Sequence, residues 1–136
     1  MESMNTLDQS AVTGKIINAA IEVHRELGPG LLESVYEYCL LAEIRRRGLR
    51  ARRQVRVPVV YKGEELQKDF FMDLLVEDEI VVELKCCEHL RPVHEVQLLT
   101  YLKLAKKEIG LLLNFNVSLM KDGIRRKINT IKQDYK

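Results

Sequence analysis

No stretch of this 136-residue chain holds the roughly 18 consecutive apolar residues of a membrane span. Nor does it open on a basic and then apolar leader, so the expected location is the cytoplasm, away from any membrane. Cysteine is scarce and badly spaced for a metal site. Cys39, Cys86 and Cys87 form no C-x-x-C pair, and the odd count suits reduced thiols. Internal repeats and low-complexity linkers are missing too. A formal net charge of +2 gives no electrostatic case for nucleic acid by itself; only local clustering could do so. What is present is ordinary: 46% hydrophobic and 31% charged residues, in a length that supports one core.

The informative part is residues 69–87. Phe70, Met72, Leu74, Val76, Ile80, Val82, Leu84 and Cys86 occupy every even position but one, while Asp73, Glu83 and Lys85 stand at odd positions among Phe71, Leu75 and Val81. Such period-two alternation predicts two successive strands with one apolar face and one mixed face. A three-residue hairpin loop at Glu77-Asp78-Glu79 places Asp73 directly opposite Glu83, with Cβ atoms about 4.5–5.5 Å apart. Carboxylates so close repel unless a cation or a proton lies between them. Lys85 falls on the same face as Glu83. Charges on a mixed face are commonly just the wet side of a half-covered sheet. Three large apolar residues on this face argue against that simple reading.

Elsewhere the pattern predicts helix, helix, three strands in a meander, helix, strand and a further strand. Residues 1–12 read as a loose segment and 13–136 as one domain. Thr13 is expected to cap a first helix carrying Ile16, Ile17, Ala20, Val23 and Leu27. After the break at Gly28-Pro29-Gly30, a second helix runs from about Leu31 to Arg47, with Leu32, Val35, Cys39, Leu40 and Ile44 inward. A strand at 52–61 contains Pro58, which suits a sheet edge. Pro92 opens a third helix reaching about Lys107, in which Gln97 and Tyr101 lie on the less solvent-directed side amid Val93, Val96, Leu98 and Leu102. Residues 110–115 read as a buried strand, and 123–128 as a last one. The class is α/β of the α+β kind, a mixed sheet flanked by helices in the order ααβββαβ(β).

Glu33 sits in the first turn of the second helix, where an acidic residue is favoured by the helix dipole alone. It also shares a face with Tyr36, three residues on. Arg45, Arg46, Arg47, Arg50, Arg52 and Arg53 form one basic run, and Lys121, Arg125, Arg126 and Lys127 another; neither is specific for nucleic acid. His94 reads as a helix histidine at a site margin, and His24 and His89 lack ligand-like spacing.

Taken in order, these motifs resemble the PD-(D/E)XK nuclease superfamily, over roughly residues 13–128. Gly30-Leu31-Leu32-Glu33-Ser34-Val35-Tyr36 matches G-x-x-E-x-x-Y, the motif that names one small family within it. Asp73 matches the superfamily's Asp, although Met72 stands where its name has Pro. Glu83-Leu84-Lys85 matches E-x-K. Gln97-Leu98-Leu99-Thr100-Tyr101 resembles the Q-x-x-x-Y motif of the branch that includes lambda exonuclease. The resemblance implies a restriction-endonuclease-like core and metal-dependent cleavage of nucleic acid, DNA first. It implies Mg²⁺ or Mn²⁺ on Asp73, Glu83 and the Leu84 backbone carbonyl. Lys85 would orient or deprotonate the attacking water, Glu33 would complete the shell, and Gln97 and Tyr101 would fix the phosphate or Lys85. The small, nearly neutral surface leaves a homodimer or protein partner to help grip a duplex. The competing expectation is a non-catalytic binding module that keeps the fold.

Overall fold

A computed structural model describes residues 6–130. Its elements run α1 (Thr6–Leu27), α2 (Glu33–Arg46), β1 (Ala51–Val57), β2 (Val60–Tyr61), β3 (Glu64–Glu65), β4 (Phe70–Val76), β5 (Ile80–Lys85), α3 (Pro92–Ala105), β6 (Ile109–Asn114), a 3₁₀ turn (Met120–Gly123) and β7 (Ile124–Ile128). Five strands form one mixed sheet in the order β1-β4-β5-β6-β7. Only β5 and β6 are parallel, joined by the crossover through α3; the other neighbours are antiparallel. The fold is thus α+β with helices on the sheet faces, consistent with a restriction-endonuclease-like core. No described helix is long and apolar enough to cross a membrane.

Two apolar clusters hold the layers together. Leu74, Val76, Ile80, Val82, Leu84, Leu111 and Leu113 pack against Ile16, Ala20 and Val23 of α1 and Tyr36, Leu40 and Ile44 of α2. Leu75, Val81 and Leu112, from the other face, meet Leu98 and Leu102 of α3. The central strands are therefore sandwiched on both faces, which is why β6 is buried at every position. Pro58 ends β1, which is an edge strand as its proline suggested.

Several expectations need correction. The first helix begins at Thr6, so residues 6–12 are helical rather than loose; residues 1–5 and 131–136 lie outside the described part. Thr13 does not cap: its hydroxyl donates to the Gln9 carbonyl inside the helix at 2.7 Å. The strand expected at 52–61 splits at Pro58, and Val60–Tyr61 pairs instead with Glu64–Glu65 as a small separate hairpin. Leu32 and Val35 are not inward; Leu32 is 74% exposed. Met72 leaves the face of Leu74 and joins the α3 cluster, and Phe70 lies 6.1 Å from the ring of Tyr101. The side-chain alternation thus breaks at Asp73. Opposite it Gln54 has φ 52, a left-handed backbone that interrupts the regular pleat of β1.

Gly123 shows how tightly the last strand is fed into the sheet. A Cβ there would lie 2.1 Å from the Asn114 carbonyl oxygen, a backbone atom that cannot swing aside. Gly123→Ala should cost about 3 kcal/mol, at the upper end for overpacking, and urea denaturation should show it as a lowered midpoint with unchanged slope.

Candidate functional site

The site begins where the β4–β5 ladder ends. Val76 pairs with Ile80 across the three-residue loop, Leu75 with Val81 and Leu74 with Val82, so the register sets Asp73 opposite Glu83. There the strands part. The Asp73 amide donates to Glu83 Oε1 at 3.2 Å, and the Leu84 amide donates to Asp73 Oδ2 at 2.8 Å. Two side-chain carboxylates have taken backbone donors that a regular ladder would give to carbonyls. The N–H and C=O of one strand residue point to the same side, so the Leu84 carbonyl also faces this fork. The next carbonyl, of Lys85, turns the other way and accepts from Phe115 N at 2.9 Å.

Burial gives the fork its electrostatics. Glu83 is 8% exposed, and its carboxyl is pushed up to about 9, first by desolvation and then by the negative charge of Asp73. Lys85 opposes that shift, which places its ammonium within electrostatic reach of Glu83. Glu33, the first residue of α2, is accessible, yet its carboxyl is also raised. Desolvation is the main cause, then Asp73, while Lys85 pulls it down. The Cys86 thiol is raised first by burial and then by the carboxyl of Glu33. Glu33 therefore lies within electrostatic reach of Asp73 and Lys85. The Tyr101 hydroxyl is raised by desolvation and then by Glu83 and Asp73, so α3 holds it within electrostatic reach of both acids.

Gln97 is exposed, not turned inward, and its amide meets the Tyr101 hydroxyl only at 3.5 Å. Val93 and Val96 beside it are 63% and 59% exposed. The inward stripe of α3 is Leu98 and Leu102, and Gln97 lies outside it. His94 caps its own helix: Nδ1 accepts from the Arg91 amide at 3.0 Å. His24 Nε2 donates to the Val117 carbonyl at 2.7 Å and is structural. The first basic run is largely paired within the protein, Arg47 with Glu43, Arg50 with Glu77, Arg52 with Asp78 and Arg53 with Glu37.

Tyr36 is part of the framework rather than the chemistry. Its ring is fully buried and stacks on Phe115 with centroids 4.6 Å apart. Its hydroxyl donates to the Gly28 carbonyl and accepts from the Leu31 amide, tying down the Gly28-Pro29-Gly30 turn from which α2, and so Glu33, departs. Tyr36→Phe should cost about 1–2 kcal/mol in thermal unfolding, because it strands two backbone groups.

Three contributors escaped the sequence reading. Asn114, buried at the end of β6, clamps the segment after Lys85: Oδ1 accepts from Cys87 N at 3.1 Å and Nδ2 donates to Cys87 O at 2.9 Å. Glu37 and Gln54 form a second support behind Asp73. Glu37 lies one turn beyond Glu33, and that i, i+4 spacing was the available signal.

Among the described residues, no group of three or more His, Cys, Asp or Glu side chains gathers as a metal cage. The fork itself suits a different ion. Two carboxylates and a main-chain carbonyl are hard oxygen donors, and Mg²⁺ is commonly held by one or two carboxylates, with water and phosphate filling the rest. Mutual repulsion of Asp73 and Glu83 would favour such a cation.

Residues 10–127 match the family described as the PD-(D/E)XK nuclease superfamily. The chain belongs to that superfamily. The match spans the fork, α2 and α3, and the five-stranded sheet up to Lys127, one residue short of the end of β7. No curated protein and no solved structure matches the chain. Membership in a superfamily of nucleases makes nucleic acid the substrate class that fits the site.

Proposed function

We propose that this protein is a metal-dependent nuclease that hydrolyses DNA phosphodiester bonds, within the G-x-x-E-x-x-Y branch of the superfamily. The observation that carries the reading is the fork: two facing carboxylates, one of them buried, beside a lysine at the end of a central strand. Asp73 and Glu83, with the Leu84 carbonyl, would hold Mg²⁺ or Mn²⁺. When bound, the cation supplies a water of lowered pKa and neutralises charge on the scissile phosphate. Lys85 would orient the attacking water and meet the charge that develops on the phosphoryl oxygens. Glu33 holds the outer side of the attacking water. The Tyr101 hydroxyl donates to a phosphate oxygen, and Gln97, at the rim, contacts the neighbouring backbone of the nucleic acid.

The paired arginines leave a modest basic surface, so a second copy or a protein partner would extend the grip on a duplex. Incubating the protein with linear duplex, nicked, single-stranded and RNA substrates, with Mg²⁺ or Mn²⁺ against EDTA, tests the reading. Metal-dependent cleavage of DNA that Lys85→Ala removes supports it. Protein that binds neither ion at millimolar levels and cuts nothing is the non-catalytic module instead.

A further inference from the structure

Gln54 is the one residue of β1 with a positive φ, 52°. A side chain in that conformation costs about 1–2 kcal/mol in place of the extended backbone a strand prefers. Such strain persists where surrounding contacts over-determine it, and here the contacts are explicit. Arg53 pairs with Leu74 and Val55 with Met72, which sets Gln54 across from Asp73. Its Nε2 lies 2.9 Å from Glu37 Oε1 and 3.3 Å from Asp73 Oδ1. An amide nitrogen has two hydrogens, so one group serves both acceptors. The opposite amide orientation would aim a carbonyl oxygen at two carboxylates.

Glu37 is built to hold that amide. It is 4% exposed, and its two oxygens are divided: Oε1 takes Gln54, while Oε2 takes Arg53 through Nε at 2.8 Å and NH2 at 2.7 Å. Arg53 itself is fixed, with its guanidinium 4.3 Å over the ring centroid of Tyr38. Arg53 thus engages the Glu37 oxygen that Gln54 does not use, and the group that touches Asp73 is a neutral donor. Asp73 then has both oxygens engaged, Oδ1 by Gln54 and Oδ2 by the Leu84 amide. Each oxygen keeps a lone pair, so the carboxylate is oriented without being consumed.

We propose that Gln54, braced by Glu37, is a positioning residue that locks the Asp73 carboxylate in its orientation at the fork. The lock is a side-chain chain running from α2 through edge strand β1 to the central strands. Its value for a cation rests on the nuclease reading, but the lock itself is a property of the metal-free protein.

Gln54→Gly separates positioning from simple packing, since glycine relieves the left-handed backbone while removing the amide. The metal-free variant should melt no lower than wild type. Three-bond Hα–Hβ couplings of Asp73, indicating one rotamer in wild type, should become averaged. Titration with Mn²⁺ alone should show affinity weakened about ten- to hundredfold, the usual effect of losing an outer partner of a metal ligand. Adding Glu37→Gln to Gln54→Gly should weaken Mn²⁺ binding no further, because Glu37 acts through Gln54. A Gln54→Gly protein with a single Asp73 rotamer overturns the proposal, as does one that melts lower yet binds Mn²⁺ like wild type. If wild type takes up no Mn²⁺, the nuclease reading fails, and the couplings still decide whether Gln54 locks Asp73.

Discussion

Millimolar Mn²⁺ or Mg²⁺ should raise the melting temperature of the wild-type protein, and neither Asp73→Ala nor Glu83→Gln should show the rise. At ten times the dissociation constant the gain is about 1.4 kcal/mol, or roughly 4–6 °C for a domain of this size. Without metal the same carboxyl gives the opposite sign. Glu83 titrates near 4.5 when unfolded and is pushed up to about 9 when folded. Between those values the native state binds the extra proton, so stability falls as pH rises and levels off only above about 9. The slope can approach 1.4 kcal/mol per pH unit, and the raised carboxyls of Glu33 and Glu37 act in the same direction. Glu83→Gln, which keeps the shape and removes the titration, should flatten the curve and make the metal-free protein more stable at pH 8. Metal binding must expel that proton, so wild-type affinity should climb with pH toward 9. Urea midpoints across pH 5–9, with and without Mn²⁺, check each part.

Lys85→Ala should lower the cleavage rate by about 10²–10³-fold or more, since it removes a cation aimed at charge formed in the transition state. Metal affinity should not fall with it. Lys85 draws down the proton affinity of Glu83 and Glu33, so its loss leaves the carboxylates more electronegative and holds a divalent ion at least as well. Lys85→Arg should stay slow, because a wide planar guanidinium keeps the charge but does not reproduce the compact ammonium that orients the water. Single-turnover cleavage beside Mn²⁺ titration distinguishes this from collapse of the site: rate lost with binding kept is the expected pair. Loss of both would make Lys85 a structural partner of the fork.

The register of β4 and β5 was legible because it is local. A three-residue loop and period-two alternation suffice to set Asp73 opposite Glu83, and the pairs from Leu74 to Ile80 follow that rule. Glu33 was legible as a helix-terminal acid, and only the tertiary structure puts it within electrostatic reach of Lys85. Glu37 was not, because a charged residue on a helix reads as solvent-facing. Its burial depends on Arg53 and Gln54, residues on an edge strand 16 and 17 positions away. Gln97 failed the other way: the wheel of α3 offers more apolar positions than the sheet can cover, and Val93 and Val96 are left outside. Met72 is the subtlest case. Alternation assumes an unbroken pleat, and no local pattern announces the left-handed turn of the backbone at Gln54.

The fork also makes two amide protons into reporters. The Asp73 and Leu84 N–H groups point at carboxylates, not carbonyls, so each senses the charge on a side chain directly. A proton leaving Glu83 or an ion arriving between the two acids changes the field at these amides far more than along the rest of β4 and β5. In a nitrogen–proton correlation spectrum of nitrogen-15-labelled protein their two peaks would follow the chemistry of the site without substrate or turnover.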